Sequence, residues 1–186
     1  MICLTDSVDA HSCLTIAQGR EQLKFCDSFT RLPTLIDIAF LMEPPEWLTL
    51  LGEEWSSCDN VSQYADELWD TPFGYLADEP LEQRNYMMTD QQIVALEALP
   101  EVVTVFRGCY ENNKRGFCWT LDQAIAEKFP TQLRYRQDGQ PLLIRATIRR
   151  DLILALLHNR NEAEVIAIRP KIQSIRYLRV TKDRGV

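Results

Sequence analysis

Histidine is almost missing from this chain, with two among 186 residues. His11 and His158 complete no metal-ligand pattern. No two of the six cysteines (Cys3, Cys13, Cys26, Cys58, Cys109, Cys118) form a CxxC pair, so no metal site is expected. No apolar run reaches the length that spans a bilayer. The opening residues lack a basic stretch followed by an apolar one, so no secretory signal is expected. These absences favour a cytoplasmic protein with reduced, buried thiols. A disulfide-stapled secreted domain is the alternative, but a chain of this length has a core that needs no staples. Positive charge is also short: 20 Lys and Arg face 27 Asp and Glu, a net charge of -7, with a pI near 4.9. An acidic surface repels phosphate backbones, which excludes bulk nucleic-acid binding unless a local basic patch overrides it. No internal repeat or low-complexity segment is present. What the chain does have is 46% hydrophobic and 25% charged residues, the balance of a folded protein.

The apolar pattern divides the chain. "REQLKFCDSF" and "LPTLIDIAFLM" carry apolar residues at helical spacing. "PPEWLTLLGEEW" opens with prolines, which suit a first helical turn, and puts Trp47, Leu48, Leu51 and Trp55 on one face. "NVSQYADELWD" repeats the pattern with Val61, Tyr64, Ala65, Leu68 and Trp69, whereas "TPFGYLADEPLEQRNY" reads as a connecting loop. "TDQQIVALEALP" begins with Thr89 and Gln92 in a capping-box pattern and stops at Pro100. Beyond it, "VVTVF" is β-branched and aromatic, as a buried strand is. "TLDQAIAEKF" predicts a helix capped by Thr120 and Gln123, with Leu121, Ala124, Ile125 and Phe129 on one face. "LLIRATI", "EVIAI" and "IRYLRV" read as strands, "DLILALL" as a short helix capped by Asp151, and Asp138-Gly139 as a turn. Helices come first, then strands with short helices between. The order predicts an α+β fold, with a helical segment over 1–98 and a sheet-based core over 99–186.

Two polar features stand out in the second half. Glu162 and Glu164 share a strand face, roughly 7 Å apart, and Ile166 and Ile168 continue that face toward the core. A solvated strand end also accounts for such a pair. Arg107 follows Val103 and Val105 on its strand, which places its guanidinium at the end of the sheet. It either closes the strand end in a salt bridge or forms a rigid fork for a phosphate or carboxylate. Gly108, directly after it, would let a ligand approach the backbone.

Taken in order, Phe106-Arg107-Gly108, Gly116-Phe117-Cys118-Trp119-Thr120 and Glu162-Ala163-Glu164-Val165 resemble a known set. It is the arginine, Ser-Thr-Ser and Glu-x-Glu motifs of the mono-ADP-ribosyltransferase family. The resemblance is to bacterial and phage members, whose pattern is Tyr-Arg-Gly, Gly-Phe-Ser-Trp-Thr and Glu-x-Glu-Val/Ile. It covers roughly residues 100–186. Each motif alone is weak; three in the family's order and approximate spacing are more specific. The resemblance implies a split-sheet transferase core, NAD as substrate and a protein acceptor, modified on arginine given Glu-x-Glu rather than Gln-x-Glu. The transition state resembles an oxocarbenium ion, as in glycoside hydrolysis.

The same resemblance implies a role for each residue. Glu164 would stabilise the positive charge, and Glu162 would orient the acceptor. Arg107 would hold the phosphates, and the Gly108 backbone would meet the nicotinamide amide. Cys118 and Thr120 would sit beside the ribose. Tyr135 or Phe129 would stack on nicotinamide, although Phe129 reads as core, as does Trp119. Two departures from the pattern appear. Cys118 replaces serine, and a thiol is the weaker hydrogen-bond partner. With no histidine nearby in sequence, Cys118 is not read as a nucleophile. "LHNRN" leaves a short loop before Glu162, where the family's target-recognising loop lies. An NAD glycohydrolase, or a non-catalytic binding protein on the same fold, are the alternative readings.

Overall fold

Helix α1 (Ile16–Leu23) starts where Thr15 and Gln18 cap each other reciprocally. Helix α2 (Arg31–Asp37) and helix α3 (Pro44–Glu54) follow, the latter with prolines in its first turn. Then come α4 (Ala65–Trp69), α5 (Pro72–Tyr75) and α6 (Asp90–Glu97). The Thr89–Gln92 capping box at the start of α6 forms as its sequence requires. These elements come from a computed structural model that describes residues 13–59, 61–76, 85–132, 135–158 and 163–179. Cys3, His11 and Glu162 lie outside the described residues.

The stripe along α3 is buried as its spacing predicts: Trp47, Leu48, Leu51 and Trp55 are all inside. Burying side chains of this size stabilises by ~1.5–3 kcal/mol each. Trp69 departs from its predicted packing face. It is 42% exposed and stacks on Phe117, with ring centroids 6.3 Å apart. The segment read as a loop contains α5, because Thr71 accepts from the Phe73 N–H and Pro72 starts the turn.

The second half forms a six-stranded sheet. Its strands are β1 (Val102–Cys109), β2 (Cys118–Thr120), β3 (Leu142–Arg149), β4 (Ile153–Leu157), β5 (Glu164–Ala167) and β6 (Lys171–Tyr177). They lie in the order β4-β5-β2-β1-β3-β6, and every neighbouring pair is antiparallel. The architecture is α+β, as the element order predicts. "DLILALL" differs from its predicted helix: Arg150–Leu152 is a single 3-10 turn and the rest is β4. All five β4 residues are buried. With both faces covered, the strand has no alternating pattern to reveal it. A second correction concerns Thr120, which closes strand β2. Helix α7 (Gln123–Lys128) is capped by Asp122, whose carboxylate accepts from the Ala124 and Ile125 N–H groups.

Both faces of the sheet are packed. On one, Leu154, Ala155, Leu157 and Ile166 join the core of α1–α5 around Trp47, Leu51, Trp55 and Phe73. Farther along that face, Ala126 of α7 packs with Phe106, Leu143 and Leu178. The opposite face, with Val103, Val105, Trp119, Ile144 and Val165, is closed by Leu96 of α6. Trp119 is thus core, as expected. The central strands β5, β2 and β1 run beneath the space between the α1–α5 body and α7.

Candidate functional site

Register builds the floor of that space. Thr120 pairs with Phe106 on one side and Glu164 on the other. Residues directly opposite each other share a face, so Phe106, Thr120 and Glu164 form one row. Cys118, paired with Ile166, lies on the same face two residues along. A cleft of about 510 Å³ opens here, and Arg107, Gly108, Cys118, Tyr135 and Glu164 all line it. A smaller recess of about 50 Å³ shares Arg107, Gly108, Cys118 and Glu164 and adds Thr120. Every predicted site residue among those described therefore borders one of two adjoining hollows. Glu162 is outside the described residues.

Arg107 takes an indirect route to the cleft. It follows Phe106, so strand alternation starts its side chain on the opposite face, with Val105 and its cross-strand partner Ile144. Its Nε and Nη2 donate to the Asn113 carbonyl at 3.3 and 3.0 Å, and its Nη1 donates to the Cys118 carbonyl. The guanidinium thus braces the 110–118 loop against β2; it closes no salt bridge among the described residues and does not stand open as a fork. Gly116 is part of the brace: a Cβ there would come within 2.2 Å of Arg107 Nη2.

Gly108 is also needed for a different reason from the one its sequence suggests. A Cβ at this position would lie 1.7 Å from the Ala126 carbonyl. The close approach is by the protein's own helix α7.

Glu164 is half-buried at the start of β5 and accepts a hydrogen bond from Trp55 Nε1 at 3.1 Å. The Cys118 thiol also contacts this carboxylate. Burial first, and the Glu164 charge next, push the Cys118 thiol well above its ordinary range, with Arg107 opposing them. Cys118 is therefore a protonated thiol and not a thiolate nucleophile. Burial likewise raises Cys58, on the cleft's helical wall, to about 12. The described cysteines are all free, although Cys13 is exposed, so the expected burial holds only for some of them.

The helical wall supplies residues that carry no sequence signal. Asp59 is buried and lines the cleft. Its Oδ2 accepts from Ser28 Oγ at 2.7 Å and its Oδ1 from the Tyr135 hydroxyl at 3.3 Å. Tyr135 also stacks on Phe129 with ring centroids 4.9 Å apart, and both rings line the cleft. Phe129 is therefore part of the cleft wall, contrary to its predicted place in the core. Ser56 lines the same wall, and its buried hydroxyl has no hydrogen-bond partner among the described residues. An orphaned hydroxyl, a carboxylate and two stacked rings suit a polar ligand with hydroxyls and an aromatic base. The volume lies in the ~300–1,000 Å³ range of small-molecule sites.

Among the described residues, no cluster of three or more His, Cys, Asp or Glu is arranged to hold a metal ion. None of their helices is long and apolar enough to cross a membrane. Compared with known proteins, the chain matches no protein-family model, no curated protein and no solved structure.

Proposed function

We propose that this chain is an NAD-dependent mono-ADP-ribosyltransferase acting on a protein acceptor, at arginine. One observation carries the reading. The segments that resemble the family's three motifs belong to β1, β2 and β5, neighbours in the sheet, and border one cleft of about 510 Å³. Residues far apart in sequence need not meet; these do, with a carboxylate on the floor and an arginine in the wall.

In the proposed reaction the bond between ribose C1′ and the nicotinamide nitrogen breaks. Its electron pair leaves with nicotinamide, and the sugar takes on oxocarbenium character. Glu164 faces that charge. Such preorganised electrostatics typically contribute ~100- to 1,000-fold in rate. A guanidine nitrogen of the acceptor then bonds to C1′ and passes its proton to the Glu162 carboxylate, which also orients the acceptor. Arg107 lies on the side of the phosphates and holds the loop that frames them. The stacked Phe129 and Tyr135 offer a flat apolar wall for a base. Cys118 stands where the family pattern has serine, on the same sheet face as Glu164 and lining the same cleft.

The test is incubation with labelled NAD and a bacterial lysate, followed by mass spectrometry of the labelled protein. Label on an arginine supports the proposal. Nicotinamide release without labelled protein would identify water as the acceptor. Absence of nicotinamide release, whether or not NAD binds, would overturn it in favour of a non-catalytic role.

A further inference from the structure

Helix α3 and the 3-10 turn that continues it (Trp55–Ser57) hold two tryptophans that are almost entirely buried, Trp47 and Trp55. Both indole N–H groups are satisfied, in different ways. Trp47 Nε1 donates to the Leu35 carbonyl at 2.8 Å, inside the helical body. Trp55 Nε1 leaves that body and donates to Glu164 Oε1 at 3.1 Å. Trp55 also lines the cleft, and its ring is fixed from behind by Phe73, stacked at 5.6 Å.

We infer that Trp55 is a positioning residue for the Glu164 carboxylate, so that the helical segment supplies part of the catalytic apparatus. The inference rests on the proposed NAD chemistry. A carboxylate on a short strand has rotational freedom about its own side-chain bonds. To stabilise an oxocarbenium ion it must present one oxygen at a fixed place as charge develops. A donor on Oε1 restrains the plane of the carboxylate that faces the sugar. Indole suits this role because it donates and cannot accept, so it cannot reverse the polarity of the bond. Its rigid bicycle, clamped by Phe73, carries that precision from the helical core to the cleft.

The two tryptophans provide the experiment and its control. Trp55→Phe keeps a ring against Phe73 and deletes the donor; Trp47→Phe deletes a buried indole bond that ends on a backbone carbonyl. Nicotinamide release from NAD is measured for both, with kcat and KM separated, beside thermal melting. Both variants should lose stability. Only Trp55→Phe should lower kcat, by ~10- to 100-fold, as expected for a hydrogen bond to a charged group, with KM for NAD changing less than about two-fold. Unchanged kcat in Trp55→Phe overturns the inference, as does an equal fall in both variants. If Trp55→Phe does not fold, 3-benzothienylalanine at position 55 keeps the bicyclic shape with sulfur in place of N–H, and the same kcat criterion applies. A parent protein that releases no nicotinamide would defeat the proposed function itself, and the positioning role with it. A normal rate in the parent and in Trp55→Phe defeats the positioning role alone.

Discussion

The two walls of the cleft are held by different forces. The helical wall stands on apolar burial: Trp47, Leu50, Leu51, Trp55 and Phe73 pack behind it, and its polar contributions, Asp59 and Ser56, sit at the edge of that core. The sheet wall stands on register and on one guanidinium. Thr120 aligns Glu164 with Phe106, and Arg107 ties the 110–118 loop to β2 through carbonyls. The difference separates what tolerates change from what does not. Apolar contacts are numerous and non-directional, so a wall built from them yields gradually. Register and a braced loop depend on a few close approaches, so a single added carbon disturbs them.

The strongest way to break this comparison is to remove one wall. Cutting the chain before Leu99 leaves Leu154, Ala155, Leu157 and Ile166 bare where they pack on α1–α5. The remnant is expected to lose cooperative melting and solubility, because a small domain has little stability to spare. A soluble fragment with a sharp thermal transition would show that the sheet wall needs no helical support.

A smaller perturbation separates two glycines of the sheet wall. Gly108→Ala drives a Cβ into the Ala126 carbonyl, a backbone atom that cannot step aside. A loss of ~3 kcal/mol or more is expected in denaturant unfolding. Gly116→Ala meets the far end of the Arg107 side chain. It should cost ~1 kcal/mol and act chiefly by displacing the guanidinium, visible as weaker NAD binding in calorimetry. Equal losses of stability would mean that the guanidinium is as immovable as the helix backbone.

Much of this arrangement is legible in the sequence, unevenly. The caps at Thr89, the α3 stripe and β1 follow from local patterns. The three segments that converge on the cleft are visible as motifs. Strand β4 is hidden, because burial on both faces erases the alternation that marks a strand. The cap of α7 is ambiguous because Thr120 and Asp122 are both competent caps, and pairing with Phe106 and Glu164 draws Thr120 into the sheet. The bond from Trp55 to Glu164 links positions 109 apart, and no local pattern encodes it. Trp55 looks like one more core residue, which it also is. Asp59 is silent in the sequence for the same reason: its partners, Ser28 and Tyr135, lie in distant segments.

The mildest test concerns the helical wall's thiol. Burial lifts Cys58 from 9.0 to about 12. Between those values the unfolded chain has lost a proton that the folded protein keeps, so stability falls as pH rises. It is fully present below about pH 9 and lost through about pH 12. The slope approaches ~1.4 kcal/mol per pH unit for one such group. Cys58→Ser should flatten the alkaline limb of the stability curve. An unchanged limb would assign the loss to other groups and leave Cys58 without a part in it.

Glu164 is the residue at which both walls meet, through Thr120 on one side and Trp55 on the other. The most direct measurement is nicotinamide release from NAD by the parent protein and by Glu164→Gln, with circular dichroism and melting recorded on the same preparations. Gln keeps the volume and an oxygen for the Trp55 N–H, so the fold should stand. The charge is gone, and release should fall by a factor of ~100 to 1,000. A folded Glu164→Gln that releases nicotinamide at the parent's rate would contradict the assignment of this carboxylate as the group that faces the reacting sugar.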